Sequence, residues 1–90
     1  MSEYFKIAET EAFQNNIDTL KYKKLYNKIF SYIYPQLRIN PFFGPNIKKL
    51  KGKFEGLYRY RLGNYRLFYK IDVKKMIVFI LDIYNRKNAY

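Results

Sequence analysis

The sequence predicts an α+β domain: one short strand, a helical hairpin, then an antiparallel meander. Three observations predict it. Apolar residues recur at helical spacing between Phe13 and Tyr34, rings and leucines alternate with charged residues from Leu57 onward, and a Gly63-Asn64 dipeptide separates two of the alternating runs. Helices first and strands after is an α+β order. Residues 1–90 make one domain with one modest core, because a chain this short buries only about 60% of the surface its unfolded form exposes. Eleven Tyr and eight Phe supply the large side chains that close that core.

Residues 4–8 (Tyr-Phe-Lys-Ile-Ala) alternate ring and polar groups and read as a short strand. Thr10, with Glu11 in the turn that follows, is a helix start: a hydroxyl to cap exposed N–H groups and an acid near the positive end of the dipole. Phe13, Ile17 and Leu20 form the stripe of that first helix. A second helix is expected over residues 22–34, with Leu25, Ile29, Tyr32 and Ile33 on one side and Lys21, Lys24 and Lys28 on another, closed by Pro35. The two helices would cover one face of a sheet. Residues 38–53, broken by Pro41, Gly44, Pro45 and Gly52, read as an irregular connector loaded with Lys48, Lys49, Lys51 and Lys53. Strands follow at 57–62, 65–72 and 76–84, joined by turns at 63–64 and about 73–75. There is no internal repeat and no low-complexity linker.

The chain has no Cys and no His. Disulfides, thiolate or zinc sites, Ser–His triads and a histidine acid or base are therefore excluded, and neither a metal nor a cofactor is expected. No signal peptide is visible, and the longest apolar run, residues 76–81, is far short of the roughly 18 residues of a membrane span. A reducing cytoplasm and no membrane partner fit best. The net charge is +11. Glu3, Glu9, Glu11 and Asp18 fall in the first eighteen residues, where Lys6 is the sole base, and seventeen basic residues face three acids thereafter. Such an imbalance points to a polyanion or an acidic protein as partner.

The hairpin carries the chemistry. A two-residue turn with Gly first, as a type II′ turn prefers, sets the register: Leu62 opposite Tyr65, Arg61 opposite Arg66, Tyr60 opposite Leu67, Arg59 opposite Phe68, Tyr58 opposite Tyr69. Alternation then separates a core face (Tyr58, Tyr60, Leu62, Tyr65, Leu67, Tyr69) from a face of Arg59, Arg61, Arg66, Phe68 and Lys70. Like charges directly opposite repel, and along this face of the hairpin the only acid is Asp72. Clustered guanidinium forks suit phosphate, and Phe68 offers a ring for stacking. The competing reading is a solvated face whose charges serve solubility, although bland faces usually mix both signs.

These residues carry a resemblance. The run Leu50-Lys51-Gly52, followed by Gly56 through Tyr69 (GLYRYRLGNYRLFY), and the ending Asn85-Arg86-Lys87-Asn88-Ala89-Tyr90 resemble the RelE/ParE superfamily of toxins from type II toxin–antitoxin systems. The resemblance implies a strand and two helices packed on a curved, mostly antiparallel sheet, and an antitoxin protein that neutralises the toxin. For its RelE branch it implies an mRNA interferase, an endoribonuclease that cuts message in the ribosomal A site and so inhibits translation. The site residues implied are Arg59, Arg61, Arg66, Arg86 and Tyr90. Arg59 and Arg61 stand where well-known RelE members carry lysine, and an arginine that keeps its proton at physiological pH cannot be a base.

On that resemblance, the neighbouring 2′-hydroxyl attacks the phosphate, Arg61 and Arg66 hold it, Arg86 stabilises the leaving side, and Arg59 positions the backbone. Tyr90 is the candidate base, with Glu55 or a ribosomal group as fallback. Lys49, Lys51, Lys53 and Phe68 are expected to bind RNA beside the catalytic Arg61, Arg66, Arg86 and Tyr90. The alternative is a ParE-type toxin that inhibits DNA gyrase without cutting RNA, and a third reading is a basic RNA- or ribosome-binding module without chemistry.

Overall fold

The computed structural model describes residues 4–19 and 23–86, of Thr19 the backbone alone. Strand β1 (Lys6–Glu9) leads into helix α1 (Glu11–Thr19). The expected cap forms: the Phe13 N–H donates to Thr10 Oγ1 at 3.2 Å. The Thr10 hydroxyl in turn donates to the Ile80 carbonyl at 2.8 Å, so the cap also ties the helix start to the sheet. Phe13 and Ile17 are buried as their spacing requires, while Leu20 and Lys21 lie outside the described residues.

The second helical rod departs from expectation. It runs as α2 (Lys23–Lys28), a wide π turn (Ile29–Ile33) and α3 (Tyr34–Ile39), so Pro35 sits inside it rather than closing it. The Tyr34 N–H reaches back five residues to the Ile29 carbonyl, and the loosened turn accommodates a proline ring that an unbroken α-helix would clash with. The extra residue also rotates the stripe. Ile29, Ile33, Tyr34 and Leu37 are buried, whereas Tyr32, expected on the apolar side, is 57% exposed.

The connector contains a fifth strand, β2 (Ile47–Lys49), and a 3-10 turn at Gly52–Phe54. β3 (Tyr58–Leu62), β4 (Tyr65–Asp72) and β5 (Ile77–Asn85) form the expected meander. Strand order is β1-β5-β4-β3-β2, with β1 parallel to β5 and every other pair antiparallel. The helices cover one face. Phe13, Ile29, Ile33 and Leu37 meet Tyr60, Leu67, Tyr69, Val78, Ile80 and Ile83 there. Buried phenols on that side are satisfied, Tyr69 donating to the Pro41 carbonyl at 2.7 Å and Tyr34 to Glu9 Oε2 at 2.7 Å. The opposite face carries the arginines.

Candidate functional site

The turn geometry decides the site. Gly63 has φ +58°, the left-handed conformation that the first position of a type II′ turn demands, and among the described non-glycine residues only Met76 has positive φ. Asn64 therefore keeps negative φ, which fits II′ rather than I′. All five expected cross-strand partners follow, including Arg61 opposite Arg66 and Arg59 opposite Phe68.

The two facing arginines are not equivalent. Arg61 is exposed. Arg66 is 8% exposed, and its Nη1 donates to the Gly63 and Tyr65 carbonyls at 3.0 Å each. Arg66 thus braces the turn while adding positive potential to the face. Arg59 is half-buried opposite Phe68. The Arg86 N–H donates to the Asn64 carbonyl at 2.6 Å, which pins the start of the tail beside the hairpin turn, with the Arg86 side chain exposed. Tyr90 lies outside the described residues.

The lysines divide by register. Lys48 pairs with Arg59 and so shares the arginine face. Lys49 pairs with Tyr58 and belongs to the other side, away from the arginines with which it was grouped as an RNA contact. Lys51 and Lys53 are exposed outside the strands, and Lys53 Nζ sits 5.4 Å from the centre of the Phe54 ring. Glu55 is exposed in the same segment, between the 3-10 turn and β3.

Two groups on the face were missed. The β4–β5 register shifts between Phe68 and Tyr69, so Phe68 faces Asp82 while Tyr69 faces Ile80, and Leu81 is the extra residue of a β-bulge. Strict alternation from Val78 would bury Asp82 and Tyr84 together with Ile80. The bulge turns both onto the arginine face, Tyr84 directly opposite Arg66. A carboxylate falling on a core position of an apolar strand was the available signal. Tyr84 donates to Asp82 Oδ2 at 2.9 Å, and its ring meets Phe68 edge-on at 5.6 Å. The bond to Asp82, then partial burial, raises the Tyr84 phenol above its usual ionisation range, so it does not serve as a base near neutral pH. Among the described residues, no group of three or more His, Cys, Asp or Glu side chains could hold a metal.

Comparison with known proteins is decisive for the family. Residues 7–90 match the ParE toxin of type II toxin–antitoxin systems, parDE. The chain belongs to this family. No curated protein matches it by sequence. The toxin–antitoxin complex RelBE2 of Mycobacterium tuberculosis has a chain similar in fold, with TM-score 0.80 and 22% identity over 98% of each chain. The archaeal RelE–RelB complex of Pyrococcus horikoshii gives TM-score 0.71 and 26% identity, covering 94% of this chain and 98% of that one. The YoeB/ParE toxin of Agrobacterium tumefaciens gives 0.74 and 18%, covering 90% and 98%. The toxin fold expected from the hairpin motif is thus the fold of the chain. No helix among the described residues is long and apolar enough to cross a membrane.

Proposed function

We propose that this toxin is a ribosome-dependent endoribonuclease that cuts mRNA in the A site, and that a cognate antitoxin restrains it. The observation that carries the reading is the sharing of one open sheet face by Arg59, Arg61 and Arg66, with residue 86 held at the turn beside them. In the reaction the RNA 2′-oxygen bonds to phosphorus and the bond from phosphorus to the 5′-oxygen breaks. The 2′-hydroxyl gives its proton to a base and the leaving oxygen takes one up, yielding a 2′,3′-cyclic phosphate and a 5′-hydroxyl. Exposed Arg61 contacts the non-bridging oxygens, Arg66 adds potential from beneath, Arg59 and Lys48 hold the adjacent backbone, and Arg86 attends the leaving side. Because arginine keeps its proton, the base is Tyr90 or a group on the ribosome; Glu55 lacks any contact with the arginines in support. A face whose Asp82 carboxylate is already bound by Asn16 and Tyr84 suits a substrate that the ribosome has already bent, and cleavage of naked RNA should be weak.

The family match favours one second reading, a ParE-type toxin that inhibits DNA gyrase without cutting RNA. A purified translation system with 3′-end mapping of message, run beside a gyrase supercoiling assay, separates the two. New ends inside A-site codons support the nuclease; lost supercoiling with intact message overturns it. Tyr90→Phe then tests the base. It should bind ribosomes normally and cut far more slowly, and wild-type cleavage by this variant removes Tyr90 from the chemistry.

A further inference from the structure

The proposed phosphate chemistry leaves Tyr84 unused, yet its ring is held both by a hydrogen bond and by a neighbouring ring. It is 42% exposed and directly opposite Arg66. Its hydroxyl is bound to Asp82 Oδ2, and Phe68 buttresses its ring at an interplanar angle of 64°. Asp82 is itself fixed from behind, because its Oδ1 accepts from Asn16 Nδ2 of α1 at 2.8 Å and from the Ile83 N–H at 2.9 Å. The same Asn16 amide also donates to the Ile83 carbonyl at 2.6 Å. A chain of bonds thus runs from α1 through Asp82 to an aromatic ring standing at the edge of the arginine cluster. A ring oriented in advance loses little freedom when something flat is laid on it.

We propose that Tyr84, positioned by Asp82 and Phe68, is a stacking site for a single unpaired nucleobase of the bound RNA. The inference rests on the RNA-cleaving reading and deepens it by assigning a base-binding subsite next to the phosphate site. Neighbouring strands are about 4.8 Å apart, so Tyr84 on β5 and Arg61 on β3 stand about 10 Å apart across β4. A nucleotide whose base lies on Tyr84 can direct its phosphate toward Arg61, whose long side chain closes the remaining distance. Stacking accepts any base by its π face, so the site orients the strand while leaving sequence choice to other contacts.

The test uses the full chain and a 12-nucleotide single-stranded RNA carrying 2-aminopurine at successive positions, titrated at low salt, where phosphate contacts are strongest. With wild type, fluorescence should be quenched at one position. Tyr84→Phe should keep the quench. Tyr84→Leu, which keeps apolar bulk but lacks a π face, should lose it and bind about 5- to 100-fold more weakly. An RNA abasic at that position should bind wild type and Tyr84→Leu alike. If Tyr84→Leu does not fold, Tyr84→Trp replaces it and should quench at the same position at least as strongly. Absence of a quench with wild type, or equal quench and affinity with Tyr84→Leu, overturns the site. Cleavage of ribosome-bound message by wild type is scored in parallel. Cleavage present with Tyr84→Leu indistinguishable from wild type defeats this inference alone; stacking present with no cleavage defeats the nuclease reading and leaves the nucleobase site standing.

Discussion

The two faces of the β3–β4 hairpin obey opposite rules. Toward the helices, every large side chain is packed and every buried hydroxyl has a partner, as with Tyr69 on the Pro41 carbonyl and Tyr60 on Gln36 at 3.1 Å. Toward solvent, Arg61 and Arg66 stand opposite one another with no acid between them in the register. Of the acids on that face, Asp72 lies at the far end of β4, and Asp82 is engaged with Tyr84 and Asn16. One side is arranged for packing, and the other sets two like charges opposite one another across the strands. On the reading proposed for this toxin, the phosphates of a bound RNA meet the charge of that face.

Substitutions one residue apart break the comparison most sharply. Leu67 is fully buried between Arg66 and Phe68 in sequence, and Leu67→Ala should cost about 2–5 kcal/mol, a large share of the stability of so small a domain. Urea denaturation measures it, and a loss below about 1 kcal/mol would mean the core face is looser than its packing implies. Next in size is Arg61→Ala, expected to slow cleavage on the order of 100-fold while leaving the melting temperature unchanged or slightly raised. Arg66→Ala should also slow cleavage. It should in addition destabilise by about 1 kcal/mol, because the loss of its bonds to the Gly63 and Tyr65 carbonyls outweighs the relief of repulsion. Equal thermal behaviour of the two variants would deny Arg66 its bracing role.

Alkaline pH weighs most on the core face, where the phenols are most deeply buried. Burial, then the bond to Glu9, raises the phenol of Tyr34, and burial raises that of Tyr69, both from an ordinary 10.0. These groups are neutral in the folded chain and ionise through that value when it unfolds. Their contribution is therefore complete below pH 10.0 and is lost as pH rises above it, by about 1.4 kcal/mol per pH unit for each group. Urea midpoints at about pH 9 and about pH 11 should diverge, and Tyr69→Phe should flatten the dependence. An unchanged slope in that variant would take Tyr69 out of the account. The smallest effect compares neighbouring lysines. Lys48→Ala should weaken RNA binding a few-fold and reduce its salt slope by about one unit, whereas Lys49→Ala should do neither, since the two point to opposite sides of β2. Equal losses would mean that binding follows total charge rather than the face.

Much of the molecule was legible along the chain because the rules involved are local. The Thr10 cap, the Gly63-Asn64 turn and strict alternation about it need only neighbouring residues, so the hairpin register and the grouping of Arg59, Arg61 and Arg66 could be derived before any fold was known. Tertiary structure decided what depends on partners distant in sequence. Residues 47–49 carry two prolines' worth of loop signals nearby and become a strand only because β3 presents an edge to pair with. Pro35 stays within a helix because packing of Ile29, Ile33 and Leu37 against the sheet outweighs the cost of one widened turn. The bulge at Leu81, which brings Asp82 and Tyr84 to the arginines, reflects the fit of β5 to β4, with Ile80 and Ile83 both turned into the core. Alternation is a property of one strand, but the point where it breaks is settled by what lies on either side.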